Sequence, residues 1–258
     1  MSLPLLTGRY EQIAVEVFAD RIALGNSAGA AAADALRQCL ARQENVRIIF
    51  AAAPSQNEFL AALGTAEGID WSRVTAFHMD EYIGLPPDSE QRFSHYLNSH
   101  LFEVVHPGTV HLIPAWEDAD RICRHYADLI RQAPIDMVCL GIGENGHLAF
   151  NDPPVADFRD PAVMKTVELD PVCRQQQVND GCFATLDAVP THAVTLTVPT
   201  LMAAGRLFCM VPGAQKRAAI TAMLREPVST GCPATILRTH AHCRLFTDRD
   251  AFGENPHG

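Results

Sequence analysis

Residues 135–147 read Ile135-Asp-Met-Val-Cys-Leu-Gly141-Ile-Gly143-Glu-Asn145-Gly146-His147. A short, nearly continuous apolar run ended by glycines is the pattern of a strand covered on both faces, as parallel sheets require. Similar runs recur outward from it, separated by helical patterns. Strands are expected at Ile13–Phe18, Val46–Ala53, Arg73–Met79, Thr109–Ile113, Val163–Leu169, His192–Val198, Arg206–Val211 and Cys243–Thr247. Helices are expected from Ser27 (as N-cap) to Gln43, from Pro54 to Leu63, Phe93 to Val104, Glu117 to Gln132, Pro199 to Ala204 and Ala214 to Leu224. Ser55 and Glu58 have capping-box spacing at the start of the second of these. The alternation predicts one α/β domain over residues 1–258. Its architecture would be a Rossmann-like three-layer one, with a mainly parallel sheet and helices on both faces.

Composition narrows the class. With 48% hydrophobic and 19% charged residues the chain has the balance of a globular protein, and 258 residues suffice for one full core. A net charge of −10 argues against nucleic-acid binding, and no apolar run reaches the ~20 residues of a membrane span. The N-terminal residues lack a basic segment followed by an apolar stretch, so a cytoplasmic location is expected. The eight cysteines form no Cys-x-x-Cys pair and read as reduced thiols. His240-Ala-His242-Cys243 has no second ligand pair nearby and reads as structural, so no metal is expected. Among 20 basic residues only Lys165 and Lys216 are lysine, which singles both out.

In open α/β sheets ligands bind beyond the carboxyl ends of the strands. Three such ends carry chemistry here. After Phe77-His-Met come Asp80 and Glu81, adjacent carboxylates of which one can face the crevice; a desolvated carboxylate has a raised pKa and can take a proton from carbon. After Leu140, Gly141 and Gly143 allow the backbone to approach a small ligand. His147 then projects into the crevice, with Asp152 able to orient its imidazole. The literal G-x-G-x-x-G here does not open a long helix, because Pro153-Pro154 stop the chain, which argues against a dinucleotide fingerprint. After Ala53, the helix start at Ser55 and Gln56 offers backbone N–H groups to an anion. Lys216, in the first turn of a helix whose dipole it opposes, is best explained by a bound phosphate.

With these residues in hand, the sequence resembles the glucosamine-6-phosphate deaminase/isomerase family, which shares its fold with the 6-phosphogluconolactonases. The resemblance rests on Met79-Asp-Glu-Tyr-Ile-Gly-Leu85, on Gly141 to Pro153, and on Val189–Val198, Pro212–Lys216 and Ala234–His240. It implies aldose–ketose isomerisation of an amino-sugar phosphate followed by loss of ammonia. Asp80 would shuttle the proton between C2 and C1, and His147 would open the pyranose ring with Asn145 and Asp152 as its supports. Lys216 would hold phosphate. No cofactor is implied, and the partners expected are a small phosphorylated sugar and further copies of the chain in a homo-oligomer.

Four departures from the family pattern stand out. Asp152 replaces the Glu of many members, and Asn145 an Asp of some. The phosphate loop, usually a Gly-Gly-Thr type turn, reads Ala52-Ala53-Pro54-Ser55, where Pro54 has no N–H. The arginine that holds phosphate in some members has only a shifted candidate, Arg174. Two other readings share the fold: a lactonase-like hydrolase in which His147 activates water, and a non-catalytic sugar-phosphate sensor. The second lacks the length and basic charge for a DNA-binding helix pair.

Overall fold

The computed structural model describes residues 3–114 and 118–253. Eleven strands form in chain order: β1 Leu6–Tyr10, β2 Ile13–Phe18, β3 Val46–Phe50, β4 Val74–His78, β5 Asp80–Tyr82, β6 Thr109–His111, β7 Met137–Leu140, β8 Met164–Glu168, β9 His192–Leu196, β10 Arg206–Val211 and β11 Cys243–Asp248. The helices are α1 Arg21–Leu40, α2 Asn57–Gly64, α3 Phe93–Leu97, α4 Glu103–Val105, α5 Ala119–Arg131, α6 Pro171–Asn179, α7 Val198–Met202, α8 Arg217–Arg225 and α9 Arg249–Phe252. A single wide turn, Asn98–Phe102, joins α3 to α4, so the helix expected from Phe93 is continuous but irregular.

Eight strands make the main sheet, in the order β1-β2-β11-β10-β7-β3-β4-β6, parallel throughout except for the β1–β2 hairpin. The strand quoted first, β7, lies between β3 and β10, with Val138 opposite Ile49 on one side and Leu207 on the other. Alternation along these strands divides the core. Ile48, Phe50, Met137, Cys139, Phe208 and Met210 face the side covered by α1, α2 and α3. Ile49, Val138, Leu140, Cys209 and Val211 face the side covered by α5 and α8. This is the three-layer arrangement expected. From β3 the chain runs outward through β4 and β6; from β7 it runs the other way through β10 and β11. The order therefore reverses between β3 and β7, and a crevice opens beyond their carboxyl ends.

Two expected strands belong elsewhere. β8 and β9 do not join the main sheet; with β5 they form a separate antiparallel sheet, in which Asp80 pairs with Thr195 and Lys165 with Thr195 on the other side. Alternating apolar residues cannot tell a parallel partner from an antiparallel one, and β5 has only three residues.

Helix boundaries differ in two informative places. α1 begins at Arg21 and not after Ser27, because Asp20 caps it by accepting from the Ala23 N–H at 2.8 Å. Gly25 is tolerated inside it because α2 packs there: a Cβ at Gly25 would lie 2.3 Å from the Glu58 Cβ. The capping box at Ser55 and Glu58 does not form. Pro54–Gln56 make a tight turn ahead of α2, and Glu58 pairs with Arg21 at 2.7 Å. The expected start of α5 at Glu117 lies outside the described residues. No described helix is long and apolar enough to cross a membrane.

Candidate active site

The crevice beyond β3, β4, β7 and β10 is a pocket of about 780 Å³, its open mouth included. Asp80, Gly141, Gly143, His147, Ser55, Gln56 and Lys216 all line it. Segments separated by most of the chain therefore converge on one space, as the strand-end reading expects.

Asp80 follows β4 and is 7% exposed. Burial, with the neighbouring Glu81 charge, pushes its carboxyl well above the usual carboxylate range. Its backbone is held from beneath by His78. The His78 Nε2 accepts from the Ile113 N–H at 2.8 Å, which leaves the proton on Nδ1 to be donated to the Asp80 carbonyl at 2.9 Å. Burial drives the His78 pKa down to about 3, so this ring is neutral and its tautomer is set by those two partners.

Glu81, expected among the catalytic groups, is not brought to the pocket. It is fully buried and accepts from the backbone N–H groups of Tyr82, Phe93 and Ser94 at 3.0, 3.1 and 3.0 Å, with the Arg92 guanidinium 3.6 Å away. Alternation across β5 turns it from the crevice to the start of α3, where its charge meets unpaired amides. Glu81→Ala leaves those three amides without their acceptor in the interior. The expected cost is about 3–5 kcal/mol of stability, read from urea unfolding.

The His147 ring is fixed by two oxygens. Its Nδ1 lies 2.8 Å from the Asn145 Oδ1 and 2.9 Å from the Asp152 Oδ1, so Nδ1 carries the proton and the Nε2 lone pair is left for the pocket. Asn145 Nδ2 donates to the same Asp152 oxygen at 2.9 Å, and the His147 N–H donates to Asn145 Oδ1 at 3.0 Å. The shorter Asp152 arm thus reaches the imidazole. Burial opposes its ionisation, yet the hydrogen bonds from His147 and Asn145 outweigh burial and hold its pKa below the usual value. Gly143 is obligatory here: a Cβ on it would stand 2.1 Å from the His147 Cε1.

The small sheet ties the two groups together. Asp80 pairs with Thr195 in β9, and the Thr195 hydroxyl accepts from the Phe150 N–H at 3.1 Å, in the loop that carries His147. Asn151 Nδ2 fastens the same loop by donating to the Leu148 and Leu196 carbonyls at 2.9 Å each.

Lys216, 4% exposed, also lines the pocket, from the turn after β10. Its ammonium has no hydrogen-bond or ion-pair partner among the described residues. Burial lowers its pKa, with the charges of Asp180 and Glu144 acting the other way. On the same pocket, the Gln56 Nε2 donates to Ser55 Oγ at 3.1 Å and to the Met210 carbonyl at 3.3 Å, while the Gln56 Oε1 is buried with no partner among the described residues. An unpaired buried ammonium beside a hydroxyl and an amide is a site for an anion.

Arg174, the shifted phosphate candidate, is absent from the pocket wall. Its Nη2 donates to the Leu186 and Val189 carbonyls at 2.8 and 2.9 Å. Its helix, α6, was not expected, although Asp170-Pro171 is a standard N-cap and N1 pair, with Asp170 accepting from the Val172 N–H at 2.8 Å. α6 instead sends Gln176 and Gln177 to the pocket, and Asp180 follows at its end. Gln176 Oε1 accepts from the Glu144 N–H at 2.9 Å and so steadies the glycine turn. Lys165 has a structural explanation: it donates to the Val155 carbonyl and pairs with Asp160 at 2.9 Å. His240 is likewise engaged by the Ala204 carbonyl and the His242 N–H. His147, Asp152 and Cys173 hold metal-ligating atoms within 4.8 Å of one another, but His147 and Asp152 are already committed to each other.

Comparison with known proteins matches residues 19–246 to the family of glucosamine-6-phosphate isomerases and 6-phosphogluconolactonases. The chain belongs to this family. A glucosamine-6-phosphate deaminase of Giardia intestinalis is 35% identical over 197 residues, 74% of this chain and 72% of that protein. One from a Geobacillus species is 35% identical over 193 residues, 73% of this chain and 75% of that protein. Among solved structures, a monomeric glucosamine-6-phosphate deaminase superposes with a TM-score of 0.83 at 24% identity, over 92% of this chain and 98% of that one. A 6-phosphogluconolactonase from Thermotoga maritima gives 0.75 at 20% identity, over 92% and 99%. The family fold therefore extends over nearly the whole of the described chain, the α1 region that the motifs did not reach included.

Proposed function

We propose that this chain, as a single domain, isomerises and deaminates an amino-sugar 6-phosphate, converting glucosamine-6-phosphate and water to fructose-6-phosphate and ammonia. The observation that carries the reading is the pocket itself: a desolvated carboxylate, an imidazole with a free Nε2, and an unpaired buried ammonium face one space. The relatives named as deaminases support the choice of substrate.

The chemistry follows from these positions. Lys216, with Ser55 and Gln56, holds the phosphate and so orients the sugar toward β4 and β7. His147 Nε2 takes the proton of the anomeric hydroxyl and returns one to the ring oxygen, opening the pyranose. Asn145 and ionised Asp152 favour the imidazolium that exists between those transfers. Asp80 removes the C2 proton of the open chain as the C2 ammonium passes a proton to the carbonyl oxygen, leaving an enolamine, and then delivers the C2 proton to C1. The resulting ketimine takes up water at C2 and expels ammonia. Gly141 and Gly143 let the chain pass close to the sugar.

Incubation with a panel of amino and neutral 6-phosphosugars tests the reading, with ammonia and ketose followed in parallel. Equal amounts of both from glucosamine-6-phosphate are expected. Ketose without ammonia would assign a neutral substrate, and opening of phosphogluconolactone alone would assign the lactonase chemistry. Lys216→Met is expected to raise KM about 10²-fold, because a buried charge-assisted contact to the phosphate is lost in ground and transition states alike. Steady-state kinetics on the folded variant measures this. The eight free cysteines suit the reducing cytoplasm as the location. Homo-oligomer formation is tested by sedimentation, since the family includes a monomeric deaminase.

A further inference from the structure

The phosphate end of the pocket has a cation that the sequence motifs do not mark. Arg21, the first residue of α1, lines the pocket together with Ser55, Gln56 and Lys216, and these are its two cationic side chains among the described residues, His147 aside. Its position follows from the early start of α1 at the Asp20 cap. The guanidinium is held in place on two sides. Nε and Nη2 donate to the two carboxylate oxygens of Glu58 at 2.7 and 2.9 Å, and Nη2 also donates to the Pro54 carbonyl at 2.7 Å. Its Nη1 makes no hydrogen bond among the described residues.

We propose that Arg21 is a phosphate-binding residue, the second cation of the site, presented to the 6-phosphate by Glu58 and the Pro54 carbonyl. The inference rests on the sugar-phosphate reading above. Three observations support it. A phosphate ester carries nearly two charges at neutral pH, and Lys216 supplies one. Pro54 withholds an N–H from the loop that faces the anion, and Arg21 is fastened to that residue's carbonyl, so a side-chain donor stands beside a loop short of a backbone one. Arg174 is spent on carbonyls elsewhere. A planar fork already oriented by a carboxylate loses little freedom on binding an anion.

Calorimetric titration with inorganic phosphate and with glucosamine-6-phosphate, alongside steady-state kinetics, tests it on three variants of the full chain. Arg21→Ala is expected to weaken phosphate binding and raise KM about 10- to 100-fold with kcat within about threefold. Arg21→Lys, which keeps the charge and loses the fork, falls between that variant and the wild type. Glu58→Gln keeps the guanidinium but loosens its orientation, and weakens phosphate binding less than Arg21→Ala does. Unchanged affinity in Arg21→Ala overturns the proposal. Equal weakening in Glu58→Gln and Arg21→Ala also overturns it, because packing of α1 on α2 would then be the cause. Wild-type phosphate binding that depends on Arg21, without ammonia release from any sugar, keeps this assignment and ends the deaminase reading.

Discussion

Asp80→Asn lowers the rate of ammonia release from glucosamine-6-phosphate by at least ~10³-fold and makes the protein more stable at neutral pH. On the proposed mechanism the loss of rate is the loss of the buried carboxylate that moves a proton between adjacent carbons; an amide of the same shape binds sugar phosphate but cannot accept that proton. Phosphosugar affinity is expected to stay within a few fold, since Lys216 and Ser55 sit in turns that follow other strands. Turnover that survives intact would remove Asp80 from the reaction.

The gain in stability comes from the same burial that tunes the base. The folded-state pKa of Asp80 is raised, so between the ordinary carboxylate pKa and that raised value the native state keeps a proton that the unfolded chain has released. Stability contributed by the group is therefore complete below the unfolded pKa and is lost as pH rises through the folded one. Asparagine has no such penalty. Calorimetric melting should show the variant melting above wild type at pH 8. The two should converge as pH falls toward 4. For wild type, the acid limb of kcat/KM lies above the usual carboxylate range for the same reason, because only ionised Asp80 can act as base.

Gly143→Ala is expected to cost about 10²-fold in kcat/KM while leaving the affinity for inorganic phosphate nearly unchanged. The added methyl would stand 2.1 Å from the His147 Cε1 and 2.3 Å from both ring nitrogens, so the imidazole must move by an ångström or more. A displacement of that size from the reacting atoms has a penalty of this order. Backbone strain is not the cause, since Gly143 is not among the glycines with positive φ. A crystal structure of the variant should find the ring turned away from Asn145 and Asp152. Normal kinetics with the ring in place would show that the turn widens freely and that the close approach has no role.

Much of this architecture is legible in local pattern. β2 and β10 have the bounds that their apolar runs predict, and β7 announces itself by a run covered on both faces. Asp80, His147 and Lys216 are legible for a related reason: each follows a recognisable strand, and in this class of sheet such places meet at one crevice. Other residues are misplaced by local reasoning. Glu81 and Asp80 are equivalent in sequence, and only the pleat of β5 and the amides at the start of α3 separate a pocket carboxylate from a buried cap. Arg174 looks available until the Leu186 and Val189 carbonyls are placed beside it. Arg21 looks remote until α1 folds against α2.

Residue order and side-chain chemistry were enough to settle the alternating α/β class, the parallel centre and the kinds of group at the strand ends, because solvent exclusion and hydrogen-bond periodicity act over a few neighbouring residues. How those groups face one another was settled by long-range pairing. Asp80 reaches the His147 loop through Thr195, on a strand of a second sheet whose antiparallel register no local period records. Burial, which makes Asp80 a stronger base, Glu81 a helix cap and Lys216 an unpaired cation, exists only once the layers have closed around them.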